Sequence, residues 1–324
     1  MTAALRQNLP DLAAYRRELT AAGAADPLPL VPFAPAGLLA QLPAPPAERR
    51  GWPWTVETPP FAGDASAWPL VTVVTPSFKQ AEFLEETIRS VLLQNYPRLE
   101  FVVMDGGSPD ASPALLEKYR PWLSFARSAP DRGQSHAINL GFSLARGDLR
   151  GWINSDDLYL PGALRDIASA RRSARRPTLI TGNYLIRRAP PGPDAPTAPI
   201  RPVYAWEIYA GGLHLPSHTT FWAGNIHQPV DESLHFIMDA DLFKRFARDG
   251  ARPAFLPQPL AVYRDHPDSK TSTILPVAQR ETADWLARAP RRIWWLWRAH
   301  LVLRRLRGLR RHPRAERANI ASAA

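Results

Sequence analysis

Between residues 70 and 153, short apolar runs alternate with helix-period repeats, and that alternation predicts the fold. Leu70-Val71-Thr72-Val73-Val74-Thr75 is nearly all apolar, as a strand buried on both faces requires. After Pro76-Ser77-Phe78, the residues Leu84, Ile88, Val91 and Leu92 recur at helical spacing and predict a helix ending before Tyr96-Pro97. Phe101-Val102-Val103-Met104 is a second buried strand, closed by Asp105-Gly106-Gly107-Ser108, and Ser112 to Tyr119 reads as a helix. Phe125 to Ser128 is a weaker strand leading into Asp131-Arg132-Gly133-Gln134. Ala137, Ile138, Gly141, Leu144 and Ala145 mark one helix face, and Leu149 to Ile153 is the fourth strand. A β-α-β-α-β-α-β order over about 90 residues predicts parallel βαβ units. The expected class is α/β, a Rossmann-like, mostly parallel central sheet flanked by helices.

The pattern loosens on both sides. Thr178 to Ile186 reads as a strand, Ala189 to Pro202 as a Pro-rich loop, and Ala254 to Tyr263 as a last extended segment. Phe236 to Phe246 is an amphipathic helix with Asp239 and Asp241 at its start, where the helix dipole favours acids. Residues 1–68 are rich in Ala and Pro: Leu5 to Leu19 suits a helix, Asp26 to Pro46 does not. Trp52, Trp54 and Trp68 are expected to pin this arm to the domain surface. The expected boundaries are an extension over 1–68, a domain over 69–275 with halves at 69–160 and 161–275, and a tail over 276–324.

Charge changes the picture in one place. Of a net +10, nine charges lie from Arg280 onward, where 12 Arg meet only Glu281, Asp284 and Glu316. The remainder is close to neutral, so the domain is not expected to bind nucleic acid. Residues 291–311 mix Trp with Arg, which suits either an anionic membrane surface or packing on the domain. The absence of Cys excludes disulfides and thiolate metal sites and is compatible with a reducing cytoplasm. No run approaches the roughly 18 apolar residues of a membrane span, and no signal-peptide layout is present.

Candidate chemistry collects after the strands. Ser77, Asp105, Asp131 and the Asp156-Asp157 pair each follow one, and ligands of open α/β sheets bind outside that rim. Adjacent carboxylates repel unless a cation compensates, and Mg²⁺ commonly combines one or two carboxylates with substrate phosphates. A solvated acidic helix cap is the bland alternative. No Gly-rich phosphate loop is present, so a metal would have to neutralise a bound diphosphate.

In order and spacing, Thr75-Pro76-Ser77-Phe78, Met104-Asp105-Gly106-Gly107-Ser108, Asp131-Arg132-Gly133-Gln134-Ser135, Asn139-Leu140-Gly141 and Asn154-Ser155-Asp156-Asp157 resemble family 2 glycosyltransferases of the GT-A fold. Met238-Asp239-Ala240-Asp241-Leu242 and Arg264-Asp265-His266 through Ser269-Lys270 extend the likeness, which covers roughly residues 69 to 272. The resemblance implies a nucleotide-sugar donor, Mg²⁺ or Mn²⁺, and inverting transfer to a saccharide or lipid-linked acceptor. The work would be cell-surface glycan synthesis at the cytoplasmic face, with peripheral membrane contact through the tail. It also implies donor contacts from Pro76, Ser77, Phe78, Asp105, Asp131, Ser135 and Asp156, metal ligation by Asp156, Asp157 and His266, and Asp239 as the base. The 69–160 half would then hold the nucleotide and the 161–275 half the acceptor. Two departures stand out: Asn154 replaces the first acid of the D-x-D motif, and His136 stands where an Asp is frequent. A sugar nucleotidyltransferase and a non-catalytic nucleotide-sugar binder remain as rivals.

Overall fold

The computed structural model describes residues 9–61, 63–173, 176–188, 195–196, 205–209 and 215–287. The strands are β1 (Val71–Ser77), β2 (Leu99–Asp105), β3 (Phe125–Ser128), β4 (Leu149–Trp152), β5 (Leu158–Tyr159), β6 (Leu179–Arg188), β7 (Ala195–Pro196), β8 (Phe221–Ala223) and β9 (Pro253–Asp265). The helices are α1 (Leu12–Ala21), α2 (Ala81–Leu92), α3 (Ser112–Tyr119), α4 (Gln134–Leu144), α5 (Ala163–Arg172), α6 (Ala205–Tyr209), α7 (Met238–Arg248), α8 (Lys270–Thr273) and α9 (Leu275–Ala287).

One sheet runs β3-β2-β1-β4-β8-β6-β9-β5, with β7 beside β6. β3, β2, β1 and β4 are mutually parallel, as the βαβ pattern predicts, and β8 enters antiparallel to β4. The chain returns from β3 to the far side of β1 to form β4, so the crevice where the strand order reverses lies between β1 and β4. Alternate side chains leave opposite faces of a strand. Val73, Phe101 and Val103 therefore join α2, α3 and α5 in one core, while Val74, Val102 and Met104 join α4 and α7 in the other. Gly141 lets α4 lie against β1, since a Cβ there would stand 2.5 Å from Val74 Cγ1.

The N-terminal segment departs from the loose arm its composition suggests. Helix α1 starts at Leu12 because Asp11, after Pro10, caps it by accepting from the Ala13 N–H at 2.9 Å. Leu19, Leu28, Val31, Leu38 and Leu42 are buried and belong to the two cores. The fully buried guanidinium of Arg89 donates to the carbonyls of Pro43, Pro53 and Trp54 at 2.9–3.0 Å and lies 5.3 Å from the Trp54 ring centroid. A buried cation is tolerable only with such saturation, so α2 and the arm need each other. The Trp52 indole reaches the Tyr159 carbonyl at 2.8 Å, so Trp52 and Trp54 anchor the segment as expected. Among the described residues no helix is long and apolar enough to cross a membrane. The Trp/Arg segment 291–311 lies outside the described residues.

Candidate active site

The ends of β1 and β4, the loop before α7 and the start of α8 surround one cavity of about 960 Å³. Pro76, Ser77 and Phe78 form one wall, with Gly106 and Asp131 beside them. Phe78 is 53% exposed there, an aromatic face open to the cavity. Ser77 Oγ and Gln80 Oε1 are buried in the same wall and make no hydrogen bond within the described structure. Buried polar atoms are seldom left unsatisfied, so both are suited to a polar ligand.

The Asp156-Asp157 turn is held from the far edge of the sheet. Arg264, at the end of β9, pairs with Glu86 at 2.6 Å, reaches Thr87 Oγ1 at 2.7 Å and donates to the Asp156 carbonyl. This clamps the turn onto α2. Asp156 turns its carboxylate to the cavity, and Oδ2 lies 3.3 Å from Nε2 of His266, the residue after β9. His266 rests its ring on Phe83 at 4.4 Å, and its buried Nδ1 makes no hydrogen bond within the described structure. Asp157 is fully buried: Oδ1 accepts from the Arg264 N–H at 3.1 Å and Oδ2 stands 3.6 Å from His218 Nδ1. Burial, and after it the charge of Asp156, pushes the Asp157 carboxyl well above the usual carboxylate range. Although it borders the cavity, its geometry suits holding the turn better than ligating an ion.

Two other expected donor contacts are spoken for by the protein. Asp105 is buried, accepting from the Ser108 N–H at 2.9 Å, Ser108 Oγ at 2.5 Å and Ser128 Oγ at 2.6 Å, which fixes the loop after β2. Ser135 donates to the Leu234 carbonyl at 2.8 Å and so ties α4 to the segment before α7. Asp131 borders the cavity and accepts from the Gly133 N–H at 2.6 Å, shaping the entrance to α4. His136 turns away to Tyr15 of α1, ring centroids 5.3 Å apart, which is the structural role open to a helix residue.

Asp239 lines the same cavity from the first turn of α7, its Oδ1 accepting from the Ala240 N–H at 2.7 Å. Asp241 instead pairs with buried Arg245 at 2.8 Å. Helix α7 begins at Met238, two residues later than its periodicity suggests. The buried Glu281 carboxylate of α9 receives the N–H groups of His235, Phe236 and Ile237 at 2.8, 2.8 and 3.2 Å. Glu281→Ala is expected to lower unfolding free energy by about 1–3 kcal/mol, because those donors would be left without an acceptor. Urea denaturation reads this directly, and an unchanged midpoint would deny the carboxylate its holding role.

Sequence reasoning missed Glu281, Arg264, Gln134 and Lys270 as site-building residues. Lys270 Nζ donates to Gln134 Oε1 at 2.6 Å, and Gln134 Nε2 donates to Asn154 Oδ1 at 2.8 Å. Burial pushes the Lys270 ammonium down to about 8, against the pull of Glu281, Asp239 and Asp156. Arg264, Gln134 and Lys270 lie in the motifs quoted above without a role of their own, and Glu281 lies in none, because the partners that define their roles are distant in sequence.

Among the described residues no three His, Cys, Asp or Glu side chains cluster as a self-sufficient metal site. Asp156 and His266 nevertheless supply two adjacent donors beside a cavity, which fits an ion that takes its remaining ligands from phosphate and water.

The family model described as Glycosyl transferase family 2 matches residues 72–181. An uncharacterized glycosyltransferase of Mycobacterium tuberculosis is 39% identical over 92 residues, 28% of this chain and 35% of its own length. The uncharacterized glycosyltransferase EpsJ of Bacillus subtilis is 25% identical over 224 residues, 63% of each chain. The chain thus spans about a third of the first relative and under two thirds of the second. Residues 1–349 of TarS from S. aureus, solved in complex with UDP-GlcNAc, superpose with a TM-score of 0.51 at 19% identity, covering 63% of this chain and 61% of that one. That likeness concerns the fold. Residues 72–181, which carry β1 to β4 and the Asp156 turn, therefore resemble glycosyl transferase family 2, and the fold is that of the GT-A glycosyltransferases.

Proposed function

We propose that this protein transfers a sugar from a nucleotide-sugar donor to a saccharide or lipid-linked acceptor, with inversion, in the synthesis of a surface polysaccharide. The observation that carries the reading is that Asp156 and Asp239, 83 residues apart, line one cavity; the first would lie on the donor side and the second on the acceptor side. The nucleotide base would lie against Phe78, with Ser77 offering its unengaged hydroxyl. Asp156 and His266 would hold Mg²⁺ or Mn²⁺, which when bound supplies positive charge to the diphosphate. Asp105, Ser135 and Asp157 would serve this site by fixing its loops. Asp239 would take the proton of the acceptor hydroxyl as that oxygen attacks the anomeric carbon opposite the leaving diphosphate. A nucleotidyltransferase would need a Gly-rich loop bearing Arg or Lys after the first strand, which Pro76 to Ala81 does not supply, and a pure binder needs no Asp239.

The test is product formation from UDP- and GDP-sugars with Mn²⁺ present, read as release of nucleoside diphosphate with acceptor lipid and oligosaccharide pools. Nucleotide binding without any acceptor-dependent release would favour the binder. The segment 291–311 is proposed to touch an anionic membrane surface at the cytoplasmic face. The full chain should co-sediment with phosphatidylglycerol vesicles at low salt and come off as salt screens the contact. A truncation after residue 287 keeps Glu281 and should lose this binding; retention would move the contact to the domain.

A further inference from the structure

The cavity is lined by acids and holds one buried ammonium. Among the described residues lining it stand Asp131, Asp156, Asp157, Asp239 and Asp268, and the one Lys or Arg is Lys270. That ammonium is buried and, among the described residues, donates to a neutral amide, Gln134 Oε1 at 2.6 Å. Gln134 is in turn fixed through its Nε2 to Asn154 Oδ1 at 2.8 Å, directly beside the Asp156 turn. A relay of two amides thus holds a cation in place at the cost of desolvating it. An amide satisfies one of its three N–H donors.

A nucleotide-sugar diphosphate brings two negative charges, and the departing nucleoside diphosphate about three. Asp156 and Asp239 add two more if ionised, against +2 from a divalent ion. The site then stays negative throughout the reaction, and most negative when the leaving group departs. In a cavity of low effective dielectric that imbalance opposes both binding and departure. Asn154 already removes one negative charge from this corner, and Lys270 adds a positive one.

Resting on the proposed function, we propose that Lys270, held by Gln134 on Asn154, binds the donor diphosphate directly and carries part of the neutralisation alongside the divalent ion. It is a binding residue that touches phosphate, and it gives the site a metal-independent component of diphosphate affinity.

Calorimetric titration of the full chain with UDP and with GDP, in Mn²⁺ and in EDTA, tests this. The wild type is expected to retain weaker but measurable binding of its preferred diphosphate in EDTA. Lys270→Met should abolish the EDTA component and weaken Mn²⁺-supported binding about 10- to 100-fold, the scale of one charged hydrogen bond. Lys270→Arg should restore most of it. The matching nucleoside, which lacks phosphate, should bind wild type and Lys270→Met alike. Gln134→Ala keeps the charge but frees it, and should weaken diphosphate binding less than Lys270→Met; if Lys270→Met does not fold, this variant decides. Diphosphate affinity unchanged in both variants, or nucleoside affinity falling in step with it, overturns the proposal. If no nucleotide binds the wild type with Mn²⁺, it is the glycosyltransferase reading itself that fails.

Discussion

Asp239→Asn is expected to bind nucleotide as the wild type does and to transfer sugar at least about 100-fold more slowly, the usual scale for a general base. An alcohol attacks poorly until its proton is removed, whereas a metal-stabilised diphosphate departs without an acid. Asp239 lines the cavity from the first turn of α7, and the asparagine keeps its size and its contact with the Ala240 N–H. Asp241→Asn makes the control, with a different expected defect. Its carboxylate serves Arg245, whose side chain is only 3% exposed and which also holds Gln228 and the Pro229 carbonyl at 2.9 Å. Its loss should cost about 1–3 kcal/mol of stability and little turnover at temperatures where the variant is folded. Steady-state kinetics with calorimetry separates the two. Wild-type turnover in Asp239→Asn, or a folded but inactive Asp241→Asn, would move the base elsewhere.

The second large effect is linkage between metal and donor. A ligand that binds only the folded state stabilises it by RT ln(1 + [L]/Kd), about 2.7 kcal/mol at a hundredfold excess. UDP or GDP should therefore raise the melting temperature chiefly when Mg²⁺ or Mn²⁺ is present. Asp156→Asn should remove the metal-dependent part, because of the two proposed metal ligands only His266 then remains. A small shift in EDTA is what Lys270 provides. Shifts of equal size with and without metal would deny Asp156 its role. The pH dependence has a definite sign. The free Lys270 ammonium is held near 8, below its unfolded value of 10.5, so the folded chain binds fewer protons across that interval. Its burial therefore penalises the empty protein below about pH 8, and the penalty is relieved as pH rises toward 10.5. Bound diphosphate should shrink this dependence by giving the cation an anionic partner, which melting curves with and without nucleotide would reveal.

Local pattern determined much of this molecule. The four parallel strands, α2 to α4 and the polar residues at the strand ends follow from spacings of two and of three to four residues, which a chain displays without folding. β3 runs from Phe125 to Ser128 and α3 from Ser112 to Tyr119, as read, because each is bounded by its own turn residues. The motifs naming Asp156 and Asp239 are equally local, since each lies within five residues. Tertiary structure decided which of those acids face the cavity. Asp105 and Asp157 follow strands just as Asp156 does, yet Ser128 and the Arg264 backbone claim them from 23 and 107 residues away. The partners of Lys270, Glu281 and Arg89 are likewise distant, and burial of the N-terminal segment depends on apolar residues with no period. A polar side chain's role is set by which partner satisfies it once water is gone, and that is known only when the chain has closed on itself.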